Sequence, residues 1–417
     1  MKRVYTPTKK KTILIVDDDQ IVVHLYQENL LGRGFKVEVA TDGAQALRVL
    51  QQGGISLVIL DLCLPRTNGV ELLGDIRAEF PSGALPVIVC SNSYLGRQAR
   101  EAEAAGATRV LSKLENSPAD MVTLISQLLD GQAEPGRESE VMAEAPVPHN
   151  LLATFLDQAR QALARMRTGY LALARTEEEK LRSEELMEIH ERTHTLAGAA
   201  AALGFGKIAQ LANGVEALLI ELREKPKKIT ASVVNTLGQA IDMLALLTEE
   251  ATASIPQSLG SPRILVVDDE VISREAICSA LSRAKLAAVS LGDPLAAEQL
   301  LKEEHFDLIF LDVEMPGKSG LELCLGLREI PLNRTTPVVF VTAHSDFGTQ
   351  ARSVLSGGKD FIVKPFILVE LAVKALTWLC RQSLQPQLPA VSQSAPVPIA
   401  SIDAGLQLAK SAELSVH

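Results

Sequence analysis

Short runs of Val, Ile and Leu recur along this chain, each closed by polar or turn-forming residues. ILIV (13–16), LVIL (57–60), PVIVC (86–90) and RVL (109–111) fall in the first third, and ILVV (264–267), LIFL (308–311), PVVFV (337–341) and FIV (361–363) in the last. A continuous apolar run bounded by turns predicts a strand buried on both faces. Segments with helical spacing, such as DPLAAEQLLK (293–302), separate the runs. Strands alternating with helices predict a parallel, doubly wound sheet. Between these regions the apolar period changes to that of helices, roughly 150–175, 178–203, 206–224 and 230–253, with Gly204, Gly206 and the PKK and IT stretches between them. Four amphipathic helices with short connections predict a bundle.

The two strand-rich regions are copies of one another. TILIVDDDQIV from Thr12 matches PRILVVDDEVI from Pro262, and ISLVILDLCLPRTNG (55–69) matches FDLIFLDVEMPGKSG (306–320). Asp18 to Asp61 and Asp269 to Asp312 are both 43 residues; Asp61 to Ser91 and Asp312 to Thr342 are both 30; Ser91 to Lys113 and Thr342 to Lys364 are both 22. A single offset of 251 relates all of these positions. The predicted organisation is an α/β domain at 10–130, a polar linker at 131–148, an all-α four-helix bundle at 149–254, a linker at 255–261, a second α/β domain at 262–382 and a Pro-, Ser- and Gln-rich tail at 383–417.

Composition narrows the function. The 417 residues carry a formal net charge of -10, against the basic footprint usual in nucleic-acid binding. Aromatics are only 4%, which suits helical and α/β layers. No uninterrupted apolar segment of membrane-spanning length is evident, and the basic start lacks the apolar stretch of a signal peptide. The five cysteines are scattered, as expected of free thiols in the cytoplasm. We therefore expect no nucleic-acid or membrane partner.

In a doubly wound sheet the functional crevice lies at the carboxyl ends of the strands. Asp17, Asp18, Asp61, Ser91 and Lys113 fall at such ends in copy one; Asp268, Asp269, Asp312, Thr342 and Lys364 do so in copy two. Clustered carboxylates repel, and a hard divalent cation relieves them. A hydroxyl and an ammonium nearby suit a phosphoryl group. The chemistry that fits is phosphoryl transfer to a carboxylate.

With these residues in hand, both copies resemble response-regulator receiver domains, whose fold is flavodoxin-like. The resemblance implies that Asp61 and Asp312 accept the phosphoryl group. It implies Mg²⁺ held by Asp17, Asp18 and Asp61, with the Cys63 carbonyl, and by Asp268, Asp269 and Asp312, with that of Glu314. Ser91 and Thr342 match the switch hydroxyl, Lys113 and Lys364 the phosphate-binding lysine, and Phe361 the aromatic switch. Pro65 and Gly69, like Pro316 and Gly320, match the loop after the acceptor. Copy one departs at Leu114, where the family has Pro, and at Val110, where it has an aromatic residue.

The bundle contains HERTH (190–194), which spells the zinc-protease pattern H-E-x-x-H. That reading needs a third ligand; the extended motif would place Gly at 197 and His at 200, which are Ala197 and Ala200, leaving only a later acid such as Glu216. The match is read as coincidental. Leu186, Ile189, Thr193, Leu196, Ala200 and Leu203 form the buried stripe of this helix. His194 points about 130° from its centre, so it is expected at the surface, ringed by the small residues Ala197, Gly198 and Ala201. HTLAGAAAALGF resembles the acceptor stretch of histidine phosphotransfer (HPt) domains. The resemblance implies His194 as the phosphotransfer histidine and Ala197, Gly198 and Ala201 as its docking face. The family Lys is replaced by Ala197, with Lys207 or Arg192 as possible substitutes. LGFGKI is not a phosphate-binding P-loop. The expectation is a Mg²⁺-dependent phosphorelay protein, not an enzyme with a kinase or DNA-binding output domain, working with a sensor histidine kinase and a downstream regulator or target. The alternative is a scaffold switched by phosphorylation, with His194 silent; zinc proteolysis through Glu191 is a third, weaker reading.

Overall fold

The computed structural model describes residues 11–64, 67–91, 96–114, 116–130, 149–176, 178–251, 258–343 and 357–384. The expected linker at 131–148, part of that at 255–261 and the tail beyond 384 lie outside them, as does Pro65.

The first α/β domain runs β1 (Thr12–Val16), α1 (Gln20–Gly32), β2 (Lys36–Ala40), α2 (Gly43–Gln52), β3 (Ile55–Asp61), a two-residue ribbon of β4 (Cys63–Leu64) and β5 (Thr67–Asn68), α3 (Gly69–Glu79), β6 (Val87–Ser91), α4 (Gly96–Ala104), β7 (Arg109–Ser112) and α5 (Pro118–Asp130). The five long strands are parallel, in the order β2-β1-β3-β6-β7. The apolar runs are continuous because both faces are covered: Leu14, Val16, Val58 and Leu60 enter one core cluster, Ile13, Ile15, Leu57 and Ile59 the other. Each such side chain, fully buried, contributes about 1.5–3 kcal/mol. Turn chemistry starts the helices. Asp19 caps α1 by accepting from the Ile21 and Val22 amides, and Asp42 caps α2 by accepting from Gln45.

The bundle consists of α6 (His149–Arg175), α7 (Glu179–Ala202), α8 (Gly206–Glu224) and α9 (Ala231–Glu250). All six stripe residues, five on α7 and Leu203 just after it, are buried, and Phe155 stacks on Phe205 with ring centroids 5.1 Å apart. Among the described residues one helix, α9, has the length and composition to cross a membrane, with a mean hydropathy of 1.2; in this structure it is the bundle's fourth core helix.

The second α/β domain repeats the first with β8 (Ile264–Val267), α10 (Val271–Arg283), β9 (Ala288–Leu291), α11 (Pro294–Glu303), β10 (Leu308–Asp312), α12 (Gly320–Leu327), β11 (Val338–Thr342), β12 (Asp360–Val363) and α13 (Leu368–Leu384). Its parallel order is β12-β11-β10-β8-β9, the same topology read from the other edge. Ser319 and Glu322 close a capping box on α12.

The three domains pack as one unit. Helix α1 lies on α7, and Ala202 packs against the first domain's core. The second domain uses a different side of the bundle. Its α13 crosses α8 so closely that a Cβ on Gly214 would sit 3.0 Å from Leu376 Cδ1. Ser232 and Thr236 of α9 donate to Glu370 Oε1 at 2.5 and 3.2 Å, and Gln210 donates to the Ala284 carbonyl at 3.3 Å. From α13, the buried Lys374 donates to Asp360 Oδ1 of β12 at 2.9 Å and Trp378 to Asp360 Oδ2 at 3.2 Å.

Candidate functional site

Each parallel sheet brings its distant acids together because β1 and β3, like β8 and β10, are adjacent and end at the same level. Asp17 and Asp61 are buried and Asp18 is exposed; one carboxylate oxygen from each lies within 4.8 Å of the others. Asp268, Asp269 and Asp312 repeat this arrangement in the second domain. The backbone fixes both aspartates: the Cys63 amide donates to Asp61 Oδ1 at 3.3 Å and the Glu314 amide to Asp312 Oδ1 at 3.1 Å. The following loop folds back so tightly that a Cβ on Gly69 would meet Leu62 Cα at 2.4 Å, and one on Gly320 the Asp312 carbonyl oxygen at 1.9 Å. Only glycine fits there.

Lys113 Nζ donates to Asp17 Oδ2 at 2.9 Å and Asp61 Oδ2 at 2.7 Å. Lys364 does the same to Asp268 and Asp312 at 2.9 and 2.8 Å. Thr342 ends β11 and is buried, in register with Val363 beside Lys364. Ser91 ends β6 in register with Ser112; its side chain lies outside the described residues. Phe361 packs partly against the second core, where the first domain has Val110.

One lysine does not neutralise three acids. Burial, opposed by Lys113 but aided by Asp61 and Asp19, pushes the Asp17 carboxyl up to about 7. Burial also works against Asp61, yet Lys113 and His194 outweigh it and hold that carboxyl well below its usual range. The donor set is all oxygen and compact, which fits a hard cation such as Mg²⁺.

The bundle histidine is not at the surface as expected. His194 is 9% exposed, and its Nε2 lies 3.3 Å from Asp61 Oδ2. The helical geometry put it on the correct side of α7, away from the stripe; the first domain covers that side. Ala197 and Gly198 are buried and Ala201 half-buried on the same helix. On the other side of the ring, Nδ1 lies 2.9 Å from Glu216 Oε1, itself buried on α8. Burial disfavours the imidazolium, but Glu216, Cys63 and Asp61 together raise the His194 pKa well above its ordinary value. Of the substitutes considered for the family lysine, Arg192 lies 3.8 Å from Glu188 on the same helix. The ammonium beside His194's partner carboxylate is Lys113, from the other domain. His190 keeps a low pKa of about 4 because it is buried, and Glu191 is exposed. Glu216 entered the sequence reading only as an available zinc ligand; its hydrogen bond to His194 was not foreseen, although a Glu within the apolar run GVEALLIEL was a visible signal.

Two parallel-sheet domains with paired acid–lysine crevices, flanking a helical bundle whose buried histidine meets one crevice, define a multidomain phosphotransfer architecture. The family model described as "Response regulator receiver domain" matches residues 13–126 and 264–376, and the Hpt domain model matches 150–247. The chain belongs to the response-regulator receiver family, with two receiver domains flanking an Hpt domain, an arrangement of two-component phosphorelay signalling. It is similar to the phosphate regulon transcriptional regulatory protein PhoB of Escherichia coli (strain K12), 37% identical over 112 residues, covering 27% of this chain and 49% of PhoB. It is also similar to the uncharacterized transcriptional regulatory protein YrkP of Bacillus subtilis (strain 168), 34% identical over 122 residues, covering 29% and 51% of the two chains. The chain spans about half the length of these relatives. Among solved structures, the chemotaxis protein CheY4 of Vibrio cholerae aligns at 25% identity with a TM-score of 0.27, over 29% of this chain and 99% of CheY4.

Proposed function

We propose that this protein is a Mg²⁺-dependent phosphorelay intermediate in which Asp61 and Asp312 are phosphoacceptors and His194 exchanges a phosphoryl group with Asp61 inside the chain. The observation that carries this reading is the 3.3 Å approach of His194 Nε2 to Asp61 Oδ2 within a buried interface. Glu216 accepts from Nδ1–H, so the ring is oriented with Nε2 toward the acceptor. In transfer, the Nε2 lone pair attacks the phosphorus on Asp61, the N–P bond forms, and the P–O bond breaks to regenerate the carboxylate beside Lys113. With phosphorus between them, a near-attack N···P separation of about 3–3.5 Å requires the pair to part by on the order of 1–2 Å. The Nε2 proton of the imidazolium passes to solvent before attack, leaving the neutral ring with its Nδ1–H on Glu216. Mg²⁺ held by Asp17, Asp18, Asp61 and the Cys63 carbonyl would offset the charge on the phosphoryl oxygens. Asp268, Asp269, Asp312 and the Glu314 carbonyl offer the second receiver the same site.

In this reading the chain is a self-phosphorylating acceptor rather than a kinase or protease. It acts in the cytoplasm, takes phosphoryl groups from a sensor histidine kinase and passes its signal to a downstream regulator by contact. The contact of α13 with the bundle favours a second reading, a scaffold whose interfaces respond to phosphorylation while His194 stays silent. The test is treatment with a small phosphoryl donor and Mg²⁺ in wild type, Asp61→Ala, Asp312→Ala and His194→Ala, with intact mass and acid–base lability as readout. An acid-labile, base-stable adduct lost with His194→Ala and with Asp61→Ala supports the internal relay. Aspartyl adducts without it favour the scaffold.

A further inference from the structure

The receiver–bundle interface brings sulfur, nitrogen and oxygen donors together in one place. Cys63 Sγ, a ring nitrogen of His194 and a carboxylate oxygen of Glu216 lie within 4.8 Å of one another. A second observation points the same way: Glu216 is 2% exposed, yet its Oε2 makes no hydrogen bond among the described residues. An orphaned buried carboxylate oxygen costs about 1–3 kcal/mol unless something occupies it. His190 Nε2, also buried without a hydrogen bond, lies 3.9 Å from Glu216 Oε1 and supplies a further nitrogen.

The chemistry selects the ligand. A thiolate, an imidazole and a carboxylate suit a borderline divalent transition metal, and Zn²⁺ above all, rather than Mg²⁺, which wants oxygen alone. Metal–sulfur and metal–nitrogen bonds of about 2.3 and 2.0–2.1 Å put tetrahedral ligands roughly 3.5 Å apart, so side-chain rotations closing about 1 Å complete the site.

We propose that Cys63, His194 and Glu216 form an inhibitory Zn²⁺ site bridging the first receiver and the bundle. The ion replaces the thiol proton of Cys63 and the acidic proton of the His194 imidazolium, both released to solvent, and no electrons are exchanged. Cys63 comes from the receiver, His194 and Glu216 from the bundle, so the bound ion clamps the two domains and withholds from phosphorus the histidine that would attack it. The site shares two residues with the H-E-x-x-H proposal's ligand set but not its base: Glu191 is exposed and plays no part. The inhibition rests on the relay described above; the binding does not.

The test is titration of the full-length protein with Co²⁺ under reducing conditions in excess Mg²⁺, without a phosphoryl donor, followed by displacement with Zn²⁺. Mg²⁺ fills the all-oxygen sites, so those do not report. Expected are one Co²⁺ with tetrahedral visible absorption and a near-ultraviolet thiolate-to-cobalt band, both lost to Zn²⁺. Cys63→Ser abolishes the thiolate band, Glu216→Gln weakens binding by at least about tenfold, the lower end of what loss of even an outer-shell partner costs, and Glu191→Gln changes nothing. The absence of a thiolate band in wild type, or its persistence in Cys63→Ser, overturns the proposal. Because no phosphoryl group is present, that failure is distinct from failure of the relay.

Discussion

The buried Lys374–Asp360–Trp378 cluster lends itself to a quantitative test. Lys374 is fully enclosed, its ammonium 2.9 Å from Asp360, whose other oxygen accepts from Trp378. At that distance the gross attraction is on the order of 6 kcal/mol for an effective dielectric constant of about 20. Desolvation of both charges takes back most of it, so the pair contributes little net. Removing one partner is different. Lys374→Met keeps the aliphatic volume and therefore adds little cavity cost, but it strands the Asp360 carboxylate in the interior. The expected loss is about 3–5 kcal/mol. Trp378 is the chain's single tryptophan, so its fluorescence in a denaturant titration reports this region without labelling. The double variant Lys374→Met, Asp360→Asn should recover most of the loss, because the stranded charge is gone. A single-variant loss below about 1 kcal/mol, or a double variant no better than the single, would refute the reasoning.

Gly320→Ala should disable the second receiver alone: its Cβ would press on the Asp312 carbonyl, at an overpacking cost of about 1–3 kcal/mol, and intact mass should show Asp61 still phosphorylated while Asp312 is not. Asp17 is raised to about 7, so the apo receiver pays increasingly for ionising it as pH climbs from the ordinary carboxylate range through about 7; Mg²⁺ binding near pH 7 should release protons, detectable by calorimetry in buffers of different ionisation heat, and equal heats would contradict this. His194 is raised in the docked state, so its contribution to docking is complete below about pH 6.5, its unperturbed value, and is lost as pH rises through its elevated pKa. Hydrogen exchange of α1 and α7, corrected for intrinsic rates, should show protection falling with pH in wild type but not in His194→Gln.

Much of this was legible in one dimension. The offset of 251 located both crevices, since parallel-sheet topology puts loop residues at predictable strand ends whatever the connecting helices contain. The stripe on α7 likewise fixed which side of the helix His194 occupies. What periodicity does not carry is a partner from elsewhere in the chain. The burial of His194 depends on Asp61, 133 residues away, and the anchoring of α13 on Glu370 meeting Ser232 and Thr236, well over 100 residues distant. Glu216 and Lys374 are charges set in apolar runs, and sequence alone does not distinguish a paired interior charge from a surface one.

The covering of His194 by its own receiver has a consequence for signalling fidelity. Two domains joined by a linker the length of 131–148 meet at an effective concentration in the millimolar range. A foreign receiver at micromolar concentration must therefore displace a partner about a thousandfold more concentrated before it touches the imidazole. In the proposed relay the histidine is therefore insulated from cross-talk by occupancy rather than by selective recognition, and whatever loosens the interface would widen the circle of proteins able to reach it.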